Sequence, residues 1–239
     1  MNGASDPGVD FETDLSADLN DFLSKWRGRW PEWRIAQVFV AESQREIAEA
    51  WFALLQEWTD AAWAGDDPTP GFAKLAWWQD ELLGWSKGAR RHPLGRVLQK
   101  RSAQWATLAA ALPALQVVRE PLRVWAAPQT VITPLQPLAT VIADVERGLF
   151  APETAAVMDA FALLAMHALW HRDDAAAVAQ AKAWAQQLIS TAPQRAGSRP
   201  RRIHDALIHA RLKRVAANGE VSALLPATAL WRSWRAARG

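Results

Sequence analysis

Cysteine and tyrosine are both missing from this chain of 239 residues. Without a thiol there is no disulfide, no thiolate zinc site and no sign of an oxidising compartment, so cytoplasm is the expected location. No run of about 18 apolar residues occurs, the least that crosses a bilayer as a helix. The opening MNGASDPGVDFETDLSAD is acidic where a secretion signal needs positive charge before an apolar stretch, so no signal is expected. Nucleophile elbows, phosphate-binding glycine loops, zinc motifs and dinucleotide fingerprints are absent. So are alternating strand patterns, repeats of about 20 to 50 residues and low-complexity linkers.

What is present is apolar and rich in indole. Half the residues are hydrophobic, enough for a sizeable core, and there are 15 Trp. Trp supplies large apolar area with a single donor to satisfy, so these residues either pack the core or line a cavity for a long apolar ligand. The net charge of +2 hides an asymmetry. Arg195 to Gly239 holds ten Arg or Lys against two acids, whereas the first 24 residues hold six acids and no base. The basic end is either a solvated face or a contact for an anionic membrane surface or an acidic partner protein. Nucleic acid has no recognised binding module behind it.

Helical periodicity dominates, which predicts an all-α, single-domain bundle of about nine or ten helices. Leu15, Leu19, Phe22, Leu23 and Trp26 share one helical face, with Gly28 able to stop that helix, so residues 1–29 read as an acidic segment with a short helix. The main domain, 30–239, begins with an element opening at Pro31. Ile47, Trp51, Leu54, Leu55, Trp58 and Ala62 then carry a long amphipathic stripe to a break at Asp66 to Gly71. Phe72, Leu75, Leu82 and Leu83 mark another helix closing near Gly88, and Leu94 to about Leu112 a further one. Prolines at 113, 121, 128, 134 and 137 predict short helices and turns. Helices follow from Pro152 to Trp170 and from Asp174 to Thr191, then a loop from Pro193 to Pro200. Two last helices span 201–217 and 226–237, separated by Asn218-Gly219.

The histidines give little chemistry. His167, His171 and Asp174 could share a helical face and bind a metal, but no HExxH context accompanies them and the helix dipole explains histidines near a C-terminus. His204 and His209, five apart, share a face poorly, and His92 precedes Pro93 in a turn.

The informative stretch is Lys74-Leu75-Ala76-Trp77-Trp78-Gln79-Asp80-Glu81-Leu82, followed by His92-Pro93-Leu94. It resembles the "L-x-W-W-[RQ]-x-E-L…H-P" segment of the squalene/phytoene synthase family, the head-to-head trans-prenyltransferases of isoprenoid biosynthesis. Residues 41–63 look like the family's early helix, TVIADVERGL at 140–149 like its middle helix, and AQAKAWAQQLISTAPQR at 179–195 like its late helix. The resemblance covers roughly residues 30 to 239 and implies the isoprenoid synthase fold. It makes Asp60, Trp77, Trp78, Asp80, Glu81, Asp144 and Gln187 the candidates to line a ligand cavity.

The same comparison exposes departures. Family enzymes hold magnesium, and through it prenyl diphosphate, between two aspartate-rich clusters, because a hard cation takes carboxylate and phosphate oxygens. Here the first cluster keeps only Asp60, the "NILRD" position reads Ser190 to Arg195 without its Asn and Asp, and the middle-helix aspartate falls on Gly148, although Asp144 and Glu146 lie near it in sequence. So few acids would leave several divalent ions undersupplied, and neither a catalytic residue nor a metal or other cofactor is expected, magnesium entering only if activity survives. Plainer readings stand beside these. Trp77 and Trp78 would pack between helices, Asp80 and Glu81 would pair with Lys74 or Arg on a wet face, Asp60 would be a surface acid, and Gln187 a surface residue. The resemblance thus implies a degenerate member acting as a binding or assembly protein, as one respiratory complex I assembly factor of the family does. Its alternatives are an active prenyltransferase and a metal-free carrier of an isoprenoid or other apolar molecule.

Overall fold

The computed structural model describes residues 7–150, 160–170, 175–191 and 197–238. Among them there is no strand, and no helix is long and apolar enough to cross a membrane. The first part of the helix read from Pro152 to Trp170, the residues His171 and Asp174, the stretch 192–196 and the side chain of Leu15 lie outside the described residues.

The first helix, α1 (Pro7–Arg29), turns Leu23 and Trp26 into the core and outlasts Gly28 by one residue. Pro31 does not open the next one. A turn in which Trp33 N donates to Trp30 O (2.9 Å) intervenes, and α2 (Trp33–Ala36) starts two residues later, followed by a 3-10 turn, Gln37–Phe39. The stripe read at 47–62 belongs to α3 (Glu42–Trp63), which from Ile47 onward is buried on nearly every side. A helix apolar all round has to lie at the centre, and α3 touches α1 and α10 as well as its successor α4 (Thr69–Ser86). That helix starts earlier than the break at Asp66–Gly71 suggests, because the Asp67 side chain accepts from Thr69 N (2.9 Å) and Pro70 suits the first turn. A Cβ on Gly71 would lie 1.9 Å from Ala61 O, so the crossing of α3 and α4 needs glycine there. α4 closes as expected at Gly88 (φ 85°), with Gly88 N donating to Trp85 O and Ala89 N to Gly84 O.

Two expectations fail in this middle region. The helix read from Leu94 to Leu112 is divided into α5 (Gly95–Leu98) and α6 (Trp105–Ala111), although Leu94, Val97, Leu98, Trp105, Leu108 and Leu112 are all buried as the pattern requires. The intervening chain instead runs against a later helix at Gly148, where a Cβ would lie 2.2 Å from Ser102 O. After α7 (Ala114–Val117) and α8 (Arg119–Arg123), prolines 134 and 137 do not break the chain but lie inside α9 (Pro128–Phe150). The carbonyls they deprive of a donor belong to Thr130 and Thr133, both exposed residues, so water can serve them. Buried Val131, Leu135, Leu138, Ala139 and Ile142 carry the helix through.

α10 (Phe161–Trp170) is buried almost throughout, and α11 (Ala175–Thr191) packs on it. α12 (Arg199–Asn218) begins where Ser198 Oγ accepts from Arg201 N (3.3 Å) and ends at Gly219 in the left-handed region (φ 78°). α13 (Pro226–Ala237) closes the chain against α12 and α2. One apolar cluster runs through all these elements, and α1 contributes to it like the rest. Within it, Trp51, Trp58, Trp78, Trp85 and Trp105 form a closed ring of indoles with centroids 5.1 to 6.5 Å apart, mostly edge to face.

Candidate functional site

The residues singled out at 74–94 form one local unit. Glu81 is 1 % exposed, contrary to the wet-face reading. Its carboxylate accepts from the indole of Trp85 (2.8 Å), from the backbone N–H of Arg91 (2.7 Å) and His92 (2.8 Å), and from Arg91 Nε (3.0 Å). The E…HP spacing thus fastens the returning loop to α4. Burial opposes the charge on Glu81, but the four donors outweigh it and hold the carboxyl below the usual carboxylate range. His92 sits 4.6 Å from the Trp78 ring and 4.9 Å from Phe22, and its Nδ1 accepts from Leu94 N. Burial pushes this imidazole down to about 4, Glu81 opposing the shift and Lys74 adding to it. Trp78 is buried, as the packing reading requires. Trp77 is 36 % exposed, with Arg91 stacked over its ring, and Asp80 is exposed.

The remaining candidates lie apart from this unit. Asp60, near the end of α3, pairs with Arg29 and accepts from Gln56 Nε2 (3.0 Å). Asp144 pairs with Arg147 one turn along α9, and Gln187 is exposed on α11. Among the described residues no three His, Asp or Glu are grouped so as to hold a metal. At Gly148, the middle-helix position, even a methyl would collide with the backbone of Ser102, so this packing has no room for a carboxylate there.

The buried acids are held by cations. Glu146, 4 % exposed, accepts from the indole of Trp51 (2.7 Å) and from Arg201 Nε (3.1 Å to each oxygen), while Arg201 also reaches Asp205 (3.2 Å) and lies over Phe52. Burial works against the Arg201 charge, but Glu146 and Asp205 raise its pKa above the ordinary value. Glu32 forms a forked pair with Arg211 (2.6 and 2.5 Å), whose guanidinium faces Trp30 and Trp170. Glu49 is forked likewise by Arg27 (2.6 and 2.7 Å). Between Arg201 and Arg211 lies His204, stacked on Phe52 at 4.1 Å, its ring nitrogens without a hydrogen-bond partner among the described residues. Burial, and then the two guanidiniums, push its pKa well below the ordinary range, so it is neutral. The Glu32 and Glu146 pairs join residues 179 and 55 apart, and no local spacing signals them.

A cleft of about 610 Å³ between α1, α3 and the α5 region is lined by Leu19, Leu23 and Val97, by Arg27, Arg96, Lys100 and Arg101, and by Asn20 and Glu46. Glu49 pairs with Arg27, and the α5 side adds three further basic residues. No family model, curated protein or solved structure matches this chain.

Proposed function

We propose that this chain is a divergent squalene/phytoene synthase-like protein that acts as a binding or assembly protein and does not transfer prenyl groups. The observation that carries the reading is the engagement of its inner carboxylates. Glu146, on the helix where the resemblance calls for a metal ligand, spends its acceptor capacity on Trp51 and Arg201. Releasing it for magnesium would leave a guanidinium that is 2 % exposed without a partner, a cost of roughly 3 to 5 kcal/mol. The cleft beside α5 supplies a binding surface, with acidic partner segments as the chemistry that fits.

The test has two arms. Purified protein incubated with farnesyl or geranylgeranyl diphosphate and magnesium is expected to give no condensed product and no magnesium-dependent change in melting temperature. Formation of product would end the reading. In the second arm, affinity purification from native lysate recovers a specific partner that is lost when Arg96, Lys100 and Arg101 are all changed to Glu. Recovery of nothing specific, or of the same set with the variant, counts against a binding role.

A further inference from the structure

Helix α13 faces the wrong way for an ordinary surface helix. Its inward positions are the small residues Ala229, Ser233 and Ala236, all buried. Its large apolar side chains point outward: Leu230 is 48 % exposed, Trp231 50 % and Trp234 40 %. Of the 15 Trp in the chain, these two are the most exposed. Leu225, at the helix start, is also exposed, and so is Val38 on the 3-10 turn that packs against α13. Leaving such a face in water forfeits the apolar burial that stabilises every other helix here.

Charge says what covers it. Residues 221–239 contain Arg232, Arg235 and Arg238 and no acid at all. Two of these arginines lie along the exposed rings, Arg235 at 4.7 Å from the Trp231 centroid and Arg238 at 4.3 Å from that of Trp234. Each pair presents an indole and a guanidinium at one level, the arrangement that suits the boundary between acyl chains and anionic headgroups. A second copy of this face would bring six arginines together with no acid from either helix, and like charges oppose that. We propose that α13 docks this protein on an anionic membrane surface, with Leu230, Trp231 and Trp234 entering the interface and the arginines meeting lipid phosphates and carboxylates. This does not rest on the binding-protein reading, and it holds whether or not the interior is catalytic.

Flotation of the full-length protein with vesicles tests it. Binding is expected to vesicles of mixed phosphatidylcholine and phosphatidylserine, to fall as salt is raised, and to be weak or absent with phosphatidylcholine alone. Trp231→Ser with Trp234→Ser is expected to lower partitioning at least about tenfold. Arg235→Glu with Arg238→Glu is expected to lower it by more than about fivefold per site, since each exchange removes a positive charge and adds a negative one, and circular dichroism is expected to show both variants folded. For the unaltered protein, phosphatidylserine vesicles carrying brominated acyl chains are expected to quench part of the indole emission. Absence of binding to anionic vesicles, variants that bind like the parent, or no quenching overturns the proposal. So does a dimer in solution that the tryptophan variant converts to monomer, since the face would then be covered by a second copy.

Discussion

Gly148 marks how tightly the chain closes over the region where the resemblance calls for metal. Adding a single methyl there is expected to destabilise the fold by about 1 to 3 kcal/mol or more, because the atom it meets is backbone and cannot swing aside. Urea unfolding of Gly148→Ala measures this. Gly28→Ala, at a helical site with nothing within 4 Å, serves as the control and is expected to be neutral or mildly stabilising. The resemblance places a family ligand position at Gly148, but the sequence alone cannot show that the space there is filled, since Ser102 lies 46 residues earlier and approaches only in three dimensions. Glu81 was misjudged for a related reason. A charged residue amid a Trp-rich stretch reads as a wet-face acid until the loop carrying Arg91 and His92 returns to it.

Between elements, the Glu146–Arg201 pair joins α9 to α12 across the interior. Glu146→Gln removes one charge and leaves the other buried, and a loss of roughly 3 to 5 kcal/mol is expected in thermal or chemical unfolding. Replacing both partners together, Glu146→Leu with Arg201→Met, is expected to recover most of that loss, because well-packed apolar pairs often match buried ion pairs in stability. A double variant as unstable as the single one would show that Trp51 and Asp205 need the charges too. At this scale the sequence was legible wherever caps and periodicity agreed: α12 and α13 fall within about two residues of their predicted bounds, fixed by Ser198, Gly219 and Pro226. It failed where periodicity persisted through a break, as between α5 and α6, and where prolines were tolerated on an exposed helix face, as at 134 and 137.

At the scale of the whole fold, three histidines among the described residues have a lowered pKa and contribute to the response to acid: His92, His204 and His209. Each is bound less tightly by protons when folded than when unfolded. Their contribution is therefore complete above the unfolded histidine range near 6.5 and is lost as pH falls below it, for His92 between 6.5 and about 4. Each histidine adds a slope of up to about 1.4 kcal/mol per pH unit inside its window. Glu81, whose pKa is lowered, adds a further loss below the unfolded carboxylate range near 4.5. His92→Asn keeps an acceptor for Leu94 N but does not titrate, so unfolding free energies measured from pH 7 to 5 are expected to fall less steeply than in the parent. A slope identical to the parent's would remove His92 from this account. The all-helical class was evident from periodicity, and so was the core role of most Trp, but which acids meet which arginines was decided only by the packed whole.

The ring formed by Trp51, Trp58, Trp78, Trp85 and Trp105 also governs how the protein handles light. With centroids 5.1 to 6.5 Å apart, the five lie close enough for excitation to pass from one indole to the next before emission. The native tryptophan emission should accordingly be partly depolarised, with no tyrosine signal beneath it.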